Sequence, residues 1–312
     1  MALYVNTNVS SINGRRNLTN ATNNLNTTYQ RLSSGLRINS AKDDAAGLQI
    51  SDRLTSQING LNQGNRNTND AISLAQTMEG AMDEMTTMLQ RVRTLAVQSS
   101  NGTNSKEDRE AIQQEVSQLS QEITRIACQT KFGGEKILCG NGGQKKAIGL
   151  LDADGAITFQ VGAYSGDTLK ITGLSKGFTV SGIATQAAGT AGITNAVNAE
   201  GLINTQGNGS YARFSVSDQD SASKAITGVD KLIAAVDSQR SMLGAMQNRM
   251  ESTIRNQSNI SMNVSDARSR IRDTDFAEES AKLSQQSIIQ QAASSMLTQA
   301  NARPQIALSM LG

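Results

Sequence analysis

Residues 18–32 read LTNATNNLNTTYQRL, and residues 289–300, near the other end of the chain, read IQQAASSMLTQA. In both stretches apolar and small residues recur at steps of three and four, at Leu18, Ala21, Leu25, Thr28 and Leu32 and at Ile289, Ala292, Met296 and Ala300. This repeat forms a narrow seam along a helix, which gains stability only when a partner helix covers it. Both ends of the chain are therefore predicted to act through association rather than through a catalytic pocket.

The composition favours helix packing and argues against catalysis. Aromatic residues make up only 3% of the 312 residues, and the chain contains no Trp, no His and a single Pro. The absence of His excludes Ser-His-Asp and Cys-His arrangements and removes the commonest metal ligand. Cys128 and Cys139 alone cannot form a structural zinc site. We therefore expect no enzymatic activity, no cofactor and no bound metal.

The charge pattern narrows the class of partner. A net charge of +2, without a basic patch that alternates with aromatic residues, argues against nucleic acid. No residue between Lys282 and Arg303 is charged, but Gln, Ser and Thr interrupt the apolar residues too often for insertion into a membrane. The first residues lack an apolar run of signal-peptide length, so we expect no cleaved signal peptide.

Four helical blocks precede a final helix in the prediction. They cover residues 5–34, 44–99, a third stretch that begins at Ser105, and 221–271, with a break at 272–275 before the last helix. Gly35 is predicted to end the first helix in a left-handed conformation. Ser105 and Asp108 have the spacing of a capping box. The third helix also contains the cleanest heptad run, at Ile112, Val116, Leu119, Ile123 and Ile126.

The middle of the chain has a different character. Residues 157–161 (ITFQV) and 168–171 (TLKI) alternate as strands do around Gly166-Asp167, so a β-hairpin is expected there. Residues 177–219 are rich in Gly, Ala, Thr and Asn, which predicts a surface insertion or a poorly ordered loop. The predicted fold class is mainly α, a long antiparallel coiled-coil bundle built from both chain ends with a small β-hairpin region in the middle.

Charge also relates the two ends of the chain. Residues 1–41 contain four arginines and no acidic residue, whereas the entry to the last helix carries Asp273, Asp275, Glu278 and Glu279. This complementarity indicates that the ends lie side by side, although exposed ion pairs contribute little individually. The alternative is a solvated face with an accidental bias, and charge alone does not decide between the two.

Several stretches resemble one family. They are VNTN at residues 5–8, RLSSGLRINSAKDDAAG at 31–47, ARSRIRDTDFA at 267–277 and the final residues 299–312. All four resemble the terminal signatures of bacterial flagellin, and the resemblance extends over residues 1–138 and 221–312. It implies an inner coiled-coil core domain of residues 1–43 and 273–312. It further implies a helical bundle domain of 44–176 and 220–272, and a short variable insertion at 177–219 that faces outward.

The resemblance also implies a function and a set of partners. The protein would be a structural subunit that polymerises into the extracellular flagellar filament for motility, exported unfolded by a type III pathway without a cleaved signal. Its partners would be other copies of itself, an export chaperone, and the cap and junction proteins. The alternatives are a hook–filament junction protein, which the completeness of both signatures disfavours, and a secreted monomeric adhesin or receptor ligand.

Two sets of functional residues follow from this resemblance. A vertebrate Toll-like receptor recognises flagellin monomers, and Arg91, Leu95 and Glu115 would be its contacts here. The alternative is that Arg91 and Glu115 simply bridge two helices. Subunit assembly would involve three residues at each end of the chain, and packing within one subunit is the alternative role for all of them. These residues are Leu18, Leu25, Leu32, Ile289, Met296 and Leu308.

The chain departs from the family pattern in two ways. The family usually lacks cysteine, whereas Cys128 and Cys139 flank the turn Phe132-Gly133-Gly134 here. They could form a disulfide if their Cα atoms come within about 7 Å, and two free thiols are the favoured alternative. The middle region is also short, so that the outer domains common in the family would be reduced to a hairpin and an insertion.

Overall fold

The computed structural model describes residues 7–140, 150–152, 155–187, 202–204 and 212–309. Helices dominate these residues, as predicted, and the strands form short antiparallel pairs. The helices are α1 (Val9–Ser34), α2 (Ala45–Ser99), α3 (Lys106–Gln129), α4 (Val180–Ala187), α5 (Gln219–Arg272) and α6 (Phe276–Ser309). The strand pairs are β1 (Lys131–Phe132) with β2 (Glu135–Lys136), β3 (Ile157–Gln160) with β4 (Thr168–Ile171), and β5 (Leu202–Asn204) with β6 (Ala212–Phe214). Over the described residues, none of the helices combines the length and the apolar character needed to span a bilayer.

The helix ends agree with the signals in the sequence. Gly35 follows α1 with φ of 71°, a left-handed conformation that a glycine adopts without strain, and its N–H donates to the Arg31 carbonyl at 2.9 Å. Ser105 and Asp108 form the predicted capping box at the start of α3. The start of the predicted helix 5–34 lies partly outside the described residues, and α1 begins at Val9 after the N-cap Asn8.

The chain divides into two compact units. The terminal unit comprises Met1–Asn59 and Ile260–Gly312, and the central unit comprises Gly60–Asn259. The predicted domain boundaries lay at the helix breaks near residues 43 and 273. The division into compact units falls inside α2 and α5, and both helices continue through it without interruption. The predicted assignment of residues to an inner core, a bundle and an outward insertion stays a prediction.

In the terminal unit, α1 and α6 pack in antiparallel orientation. Asn8 donates its side-chain N–H to the Ala300 carbonyl at 2.7 Å at one end, and the Arg31 guanidinium lies 3.9 Å from the Glu279 carboxylate at the other. The Glu279 side chain is only 4% exposed and also lies 3.8 Å from the Lys282 ammonium group. The charge complementarity between the chain ends is therefore a real contact, as one of the two sequence-based readings predicted.

A short backbone pairing joins the two helix breaks of the terminal unit. Leu36 and Asp273 form an isolated antiparallel bridge. Arg37 donates its N–H to the Arg272 carbonyl at 2.7 Å, and Thr274 donates its N–H to the Gly35 carbonyl at 3.0 Å. The α1–α2 and α5–α6 connections therefore hold each other in register.

The central unit contains a continuous apolar core between α2, α3 and α5. Its long helices run antiparallel, since Arg93 pairs with Asp230 and Asp83 with Arg240 across α2 and α5. The core residues include Met78, Met82, Met85, Leu89, Val92, Ile112, Val116, Ile123, Val229, Val236, Leu243 and Met250. Of the predicted heptad positions of α3, Ile112, Val116 and Ile123 belong to this core, and Leu119 and Ile126 pack against it partly buried. The predicted β-hairpin is present as β3 and β4, paired from Ile157–Ile171 to Gln160–Thr168.

The region 177–219 differs from the expected outward insertion in its described part. Phe178 and Phe214 are both fully buried and belong to the core of the central unit. Helix α4 also buries Ile183 and Ala184. The prediction was based on the Gly- and Ala-rich composition and gave no weight to these few apolar residues. They are buried because they pack against segments that are distant in the sequence.

Candidate assembly and recognition surfaces

Helix α6 carries two apolar stripes, and only one of them faces α1. Leu297 packs against Gly14, and Gln290 donates to the Thr22 hydroxyl at 3.4 Å, so that these positions define the inner stripe. Ile289 and Met296, which were predicted as assembly residues, lie outside it and are 42% and 65% exposed. Within the subunit Met296 is therefore mostly uncovered and Ile289 is partly uncovered, and the uncovered area of both is available to another molecule.

The predicted assembly residues of α1 are placed differently. Leu18, Leu25 and Leu32 are half-buried, and Ala21 and Thr28 between them are buried. The seam of α1 therefore faces its own α6, which corresponds to the intramolecular alternative. Leu308 lies within α6, but its side chain falls outside the described residues.

A groove of about 670 Å³ runs between α1 and α6 beside the exposed stripe. Its α6 wall is mainly apolar and includes Ile289, Ala292 and Met296. Its α1 wall is formed by a row of asparagines at steps of four, three and four: Asn13, Asn17, Asn20 and Asn24. Sequence reasoning missed this row because it followed apolar residues only, although the same heptad spacing was present in the asparagines.

The predicted receptor residues lie on the facing surfaces of α2 and α3. Arg91 on α2 donates its Nε–H to the Glu115 carboxylate of α3 at 2.9 Å, and the two side chains are 56% and 44% exposed. Leu95, one turn along α2, is only 2% exposed and lies in the core. In the free subunit Leu95 is therefore a core residue beneath the exposed surface of α2. The exposed apolar side chain near it on α2 is Val97, at 48%.

Further along α2, a second ion pair crosses to α5. Arg93 donates to the Asp230 carboxylate at 2.6 Å, and this hydrogen bond, together with the charge of Asp230, raises the pKa of the guanidinium. The exposed surface of α2 around residue 91 therefore carries two cross-helix arginine pairs, one to α3 and one to α5.

The groups with potential for chemistry are few. Cys128 and Cys139 are free thiols whose sulfur atoms lie 2.9 Å apart. Within the described ranges, His, Cys, Asp and Glu side chains form no group of three that could hold a metal ion.

Comparison with known proteins assigns the family. Residues 5–142 match the model of the bacterial flagellin N-terminal helical region, and residues 226–311 match that of the C-terminal helical region. The chain belongs to the bacterial flagellin family. Members of this family are structural proteins that self-assemble into the extracellular flagellar filament, and they are not enzymes.

Individual relatives agree with this assignment. The chain is 39% identical to flagellin B of Vibrio cholerae serotype O1 over 376 aligned positions, and 40% identical to polar flagellin C of Vibrio parahaemolyticus serotype O3:K6 over 383. Both alignments cover 100% of each chain. Since these alignments are longer than the 312 residues, the relatives contain residues that this chain lacks.

A solved structure supports the fold alone. A putative flagellar hook-associated protein from Vibrio parahaemolyticus superposes with a TM-score of 0.54 and 15% identity, covering 74% of this chain and 100% of that one. The two proteins therefore share a helical architecture although their sequences differ widely.

Proposed function

We propose that this chain polymerises into a flagellar filament that serves swimming motility, and that the exposed stripe of α6 with the adjoining groove is its assembly surface. The observation that carries the proposal is the exposure of Ile289 and Met296 on a helix whose opposite stripe is already packed against α1. Large apolar side chains in such a row lose contact with water only when another chain covers them.

The groove favours a helix as the covering element. The apolar wall offers burial, while the side-chain amides of Asn13, Asn17, Asn20 and Asn24 can donate and accept hydrogen bonds along the whole length. Helices from neighbouring subunits have the required periodicity, since both chain ends repeat at steps of three and four. Assembly would then be cooperative, because each added subunit both covers a stripe and presents a new one.

Electron microscopy of concentrated full-length protein with a salting-out salt tests this proposal. Wild type should form filaments, and Met296→Asp should prevent them because it places a carboxylate in the apolar wall of the groove. Tyr164→Asp is the matched control, since Tyr164 is 62% exposed but lies in the central unit. Equal loss of assembly in both variants, or filaments from both, would contradict the assignment of the surface. Monodisperse wild type would instead favour a junction protein or a secreted ligand.

We also propose that the subunit is exported unfolded through a type III pathway with the help of an export chaperone, and that it meets cap and junction proteins in the filament. The sparse burial in the terminal unit supports this proposal, because few of the described side chains of α1 and α6 are buried and must lose contact when these helices unfold. Expression in a flagellated host with an inactivated export gate tests it. The protein should remain inside those cells and should leave cells with an intact gate.

A second proposal concerns recognition of the free monomer by a vertebrate Toll-like receptor. Arg91 and Glu115 are exposed side by side on α2 and α3, which supports a role as contacts, and Leu95 would act by supporting the helix beneath them. In a reporter-cell assay, Arg91→Ala should lower the response. Arg125→Ala is the matched control, because Arg125 is also an exposed arginine paired with a glutamate. An unchanged response to Arg91→Ala would contradict the proposal.

A further inference from the structure

The only two cysteines of the chain lie next to each other in the central unit. Cys128 is the penultimate residue of α3, and Cys139 follows the short hairpin β1–β2. Their sulfur atoms are 2.9 Å apart, and a disulfide bond is about 2.05 Å long. A small movement of the two side chains would therefore bring the sulfurs to bonding distance.

The backbone on the Cys139 side holds this arrangement in place. Ile137 and Leu138 are fully buried, and the Leu138 carbonyl accepts a hydrogen bond from the Phe178 N–H at 2.8 Å. Gly140 packs so closely on Gly177 that a Cβ atom at residue 140 would overlap the Gly177 backbone. The approach of the two thiols is therefore fixed by packing on both sides of Cys139.

Small reagents can reach the pair. Both cysteines are half-buried, and a surface groove of about 450 Å³ is lined by Cys128 together with Gln121, Thr124 and Arg125. Burial, followed by the hydrogen bond with Cys139, raises the pKa of the Cys128 thiol from 9.0 to about 11, while Lys136 acts in the opposite direction. Cys128 is thus protonated near neutral pH, and oxidation that depends on its thiolate should accelerate as the pH rises.

We propose that Cys128 and Cys139 form an intramolecular disulfide when the subunit meets a peroxide outside the cell. One thiol loses its proton and the thiolate attacks a peroxide oxygen. The O–O bond breaks, a sulfenic acid forms, and the leaving hydroxide takes up the released proton and becomes water. The second sulfur then attacks the sulfenic sulfur, the S–O bond breaks, and the second water leaves. In the net reaction two thiols and hydrogen peroxide give one disulfide and two waters. Each sulfur loses one electron and each peroxide oxygen gains one.

The bond would lock the C-terminal end of α3. It would close the loop that contains β1 and β2 and, through the Leu138–Phe178 hydrogen bond, would fix the end of α3 relative to the segment before α4. A cross-link restricts the unfolded chain more than the folded one and therefore stabilises the fold. The thiols would stay reduced in the cytosol and become oxidised after export, since disulfides persist in oxidising surroundings.

Titration of purified, reduced, full-length protein with hydrogen peroxide tests the proposal. Both thiols should disappear together, and the intact mass should fall by two hydrogens. A non-reducing tryptic map, which cuts after Lys131 and Lys136, should contain Cys128 and Cys139 in one linked peptide pair. The melting temperature should rise, and dithiothreitol should reverse every change.

Single variants separate this pairing from ordinary thiol oxidation. In Cys128→Ser and Cys139→Ser, whose folding is checked by circular dichroism, the remaining thiol should gain oxygen or link two subunits, and the melting temperature should not rise. The proposal is overturned if wild-type thiols gain oxygen independently, if intermolecular dimers are the main product, or if the disulfide forms without raising the melting temperature. The wild-type map alone decides the first two outcomes, even where a variant fails to fold.

Discussion

At the scale of single residues, Gly64 in the interior of α2 makes room for the hairpin β3–β4. A Cβ at this position would overlap the Val161 carbonyl, to which the Gln257 side chain donates a hydrogen bond at 2.6 Å. One turn earlier, a Cβ on Gly60 would lie 2.7 Å from the Cβ of Ala163. The two glycines therefore form a notch in which the end of the hairpin rests.

We predict that Gly64→Ala lowers the free energy of unfolding by about 1–3 kcal/mol, because the added methyl group displaces the hairpin from the helix. Urea denaturation followed by circular dichroism measures this change. Gly80→Ala is the control in the same helix, since no atom outside the adjoining turns of the helix backbone lies within 4 Å of the position that a methyl group on Gly80 would occupy. It should raise the free energy of unfolding by up to about 1 kcal/mol, because Ala favours helix more than Gly does. Similar effects of both substitutions would show that the notch has no role.

Gln113 is a second residue with a defined structural role. Its side-chain oxygen accepts the Val216 N–H at 2.6 Å, and its side-chain nitrogen donates to the Phe214 carbonyl at 2.8 Å. Since Phe214 and Val216 are fully buried, the amide of Gln113 satisfies two backbone groups that water cannot reach easily.

Substitution of Gln113 by Leu should lower the free energy of unfolding by about 1–3 kcal/mol, because the two backbone groups lose their partners. Thermal unfolding followed by circular dichroism at several scan rates measures this loss in the free energy of unfolding. The neighbouring Gln114 is exposed, so Gln114→Leu should change stability far less. A Gln113→Leu variant as stable as Gln114→Leu would show that solvent or another side chain replaces the amide.

At the scale of elements, the start of α3 shows how a local motif fixes a helix boundary. The Ser105 hydroxyl accepts the Asp108 N–H at 3.1 Å, and the Asp108 carboxylate accepts the Ser105 N–H at 3.0 Å. The backbone and side-chain hydrogen bonds from Ser105 lower the pKa of the Asp108 carboxyl below its ordinary value of 3.8, while desolvation acts in the opposite direction. The ionised form therefore stabilises the start of the helix.

The sign of the pH effect follows from this lowered pKa. The contribution of Asp108 is fully present above the ordinary pKa and is lost as the pH falls through the lower pKa of the folded state. The stability difference between wild type and Asp108→Asn should therefore be constant near neutral pH and should shrink in acid. Urea denaturation at a series of pH values measures it, with Glu107→Gln as the control in the same helical turn. A difference that does not vary with pH would rule out this explanation.

Long elements could be predicted from the sequence because caps and heptads are local signals. The predicted blocks 44–99 and 221–271 correspond to α2 and α5 within two residues at each end. The burial of Phe178 and Phe214 could not be predicted, since their partners lie far away in sequence. On α6 the stripe of Leu297 and the stripe of Met296 are both compatible with a helix seam. Periodicity alone does not reveal which stripe α1 covers.

At the scale of the whole molecule, the two units differ in how much they bury. Within α1 the buried residues are Ala21 and Thr28, and among the described side chains of α6 they are Glu279 and Ala300. The central unit, in contrast, has a continuous apolar core with fully buried methionines and leucines from several helices. Local stability follows such burial, so the terminal unit should open much more often than the central unit in the free subunit.

Hydrogen–deuterium exchange of monomer and filament tests this difference. In the monomer, amides of α1 and α6 should exchange at least about tenfold faster than those of α3, because about 1.4 kcal/mol less opening energy already produces that ratio. In the filament, exchange in α1 and α6 should slow strongly, since neighbouring subunits would cover Ile289 and Met296, while exchange in α3 serves as the internal reference. If α1 and α6 were as protected as α3 in the monomer, the terminal unit would be stable on its own. Assembly would then depend on surface complementarity alone, without the ordering of helices that the sparse core of the terminal unit leads us to expect.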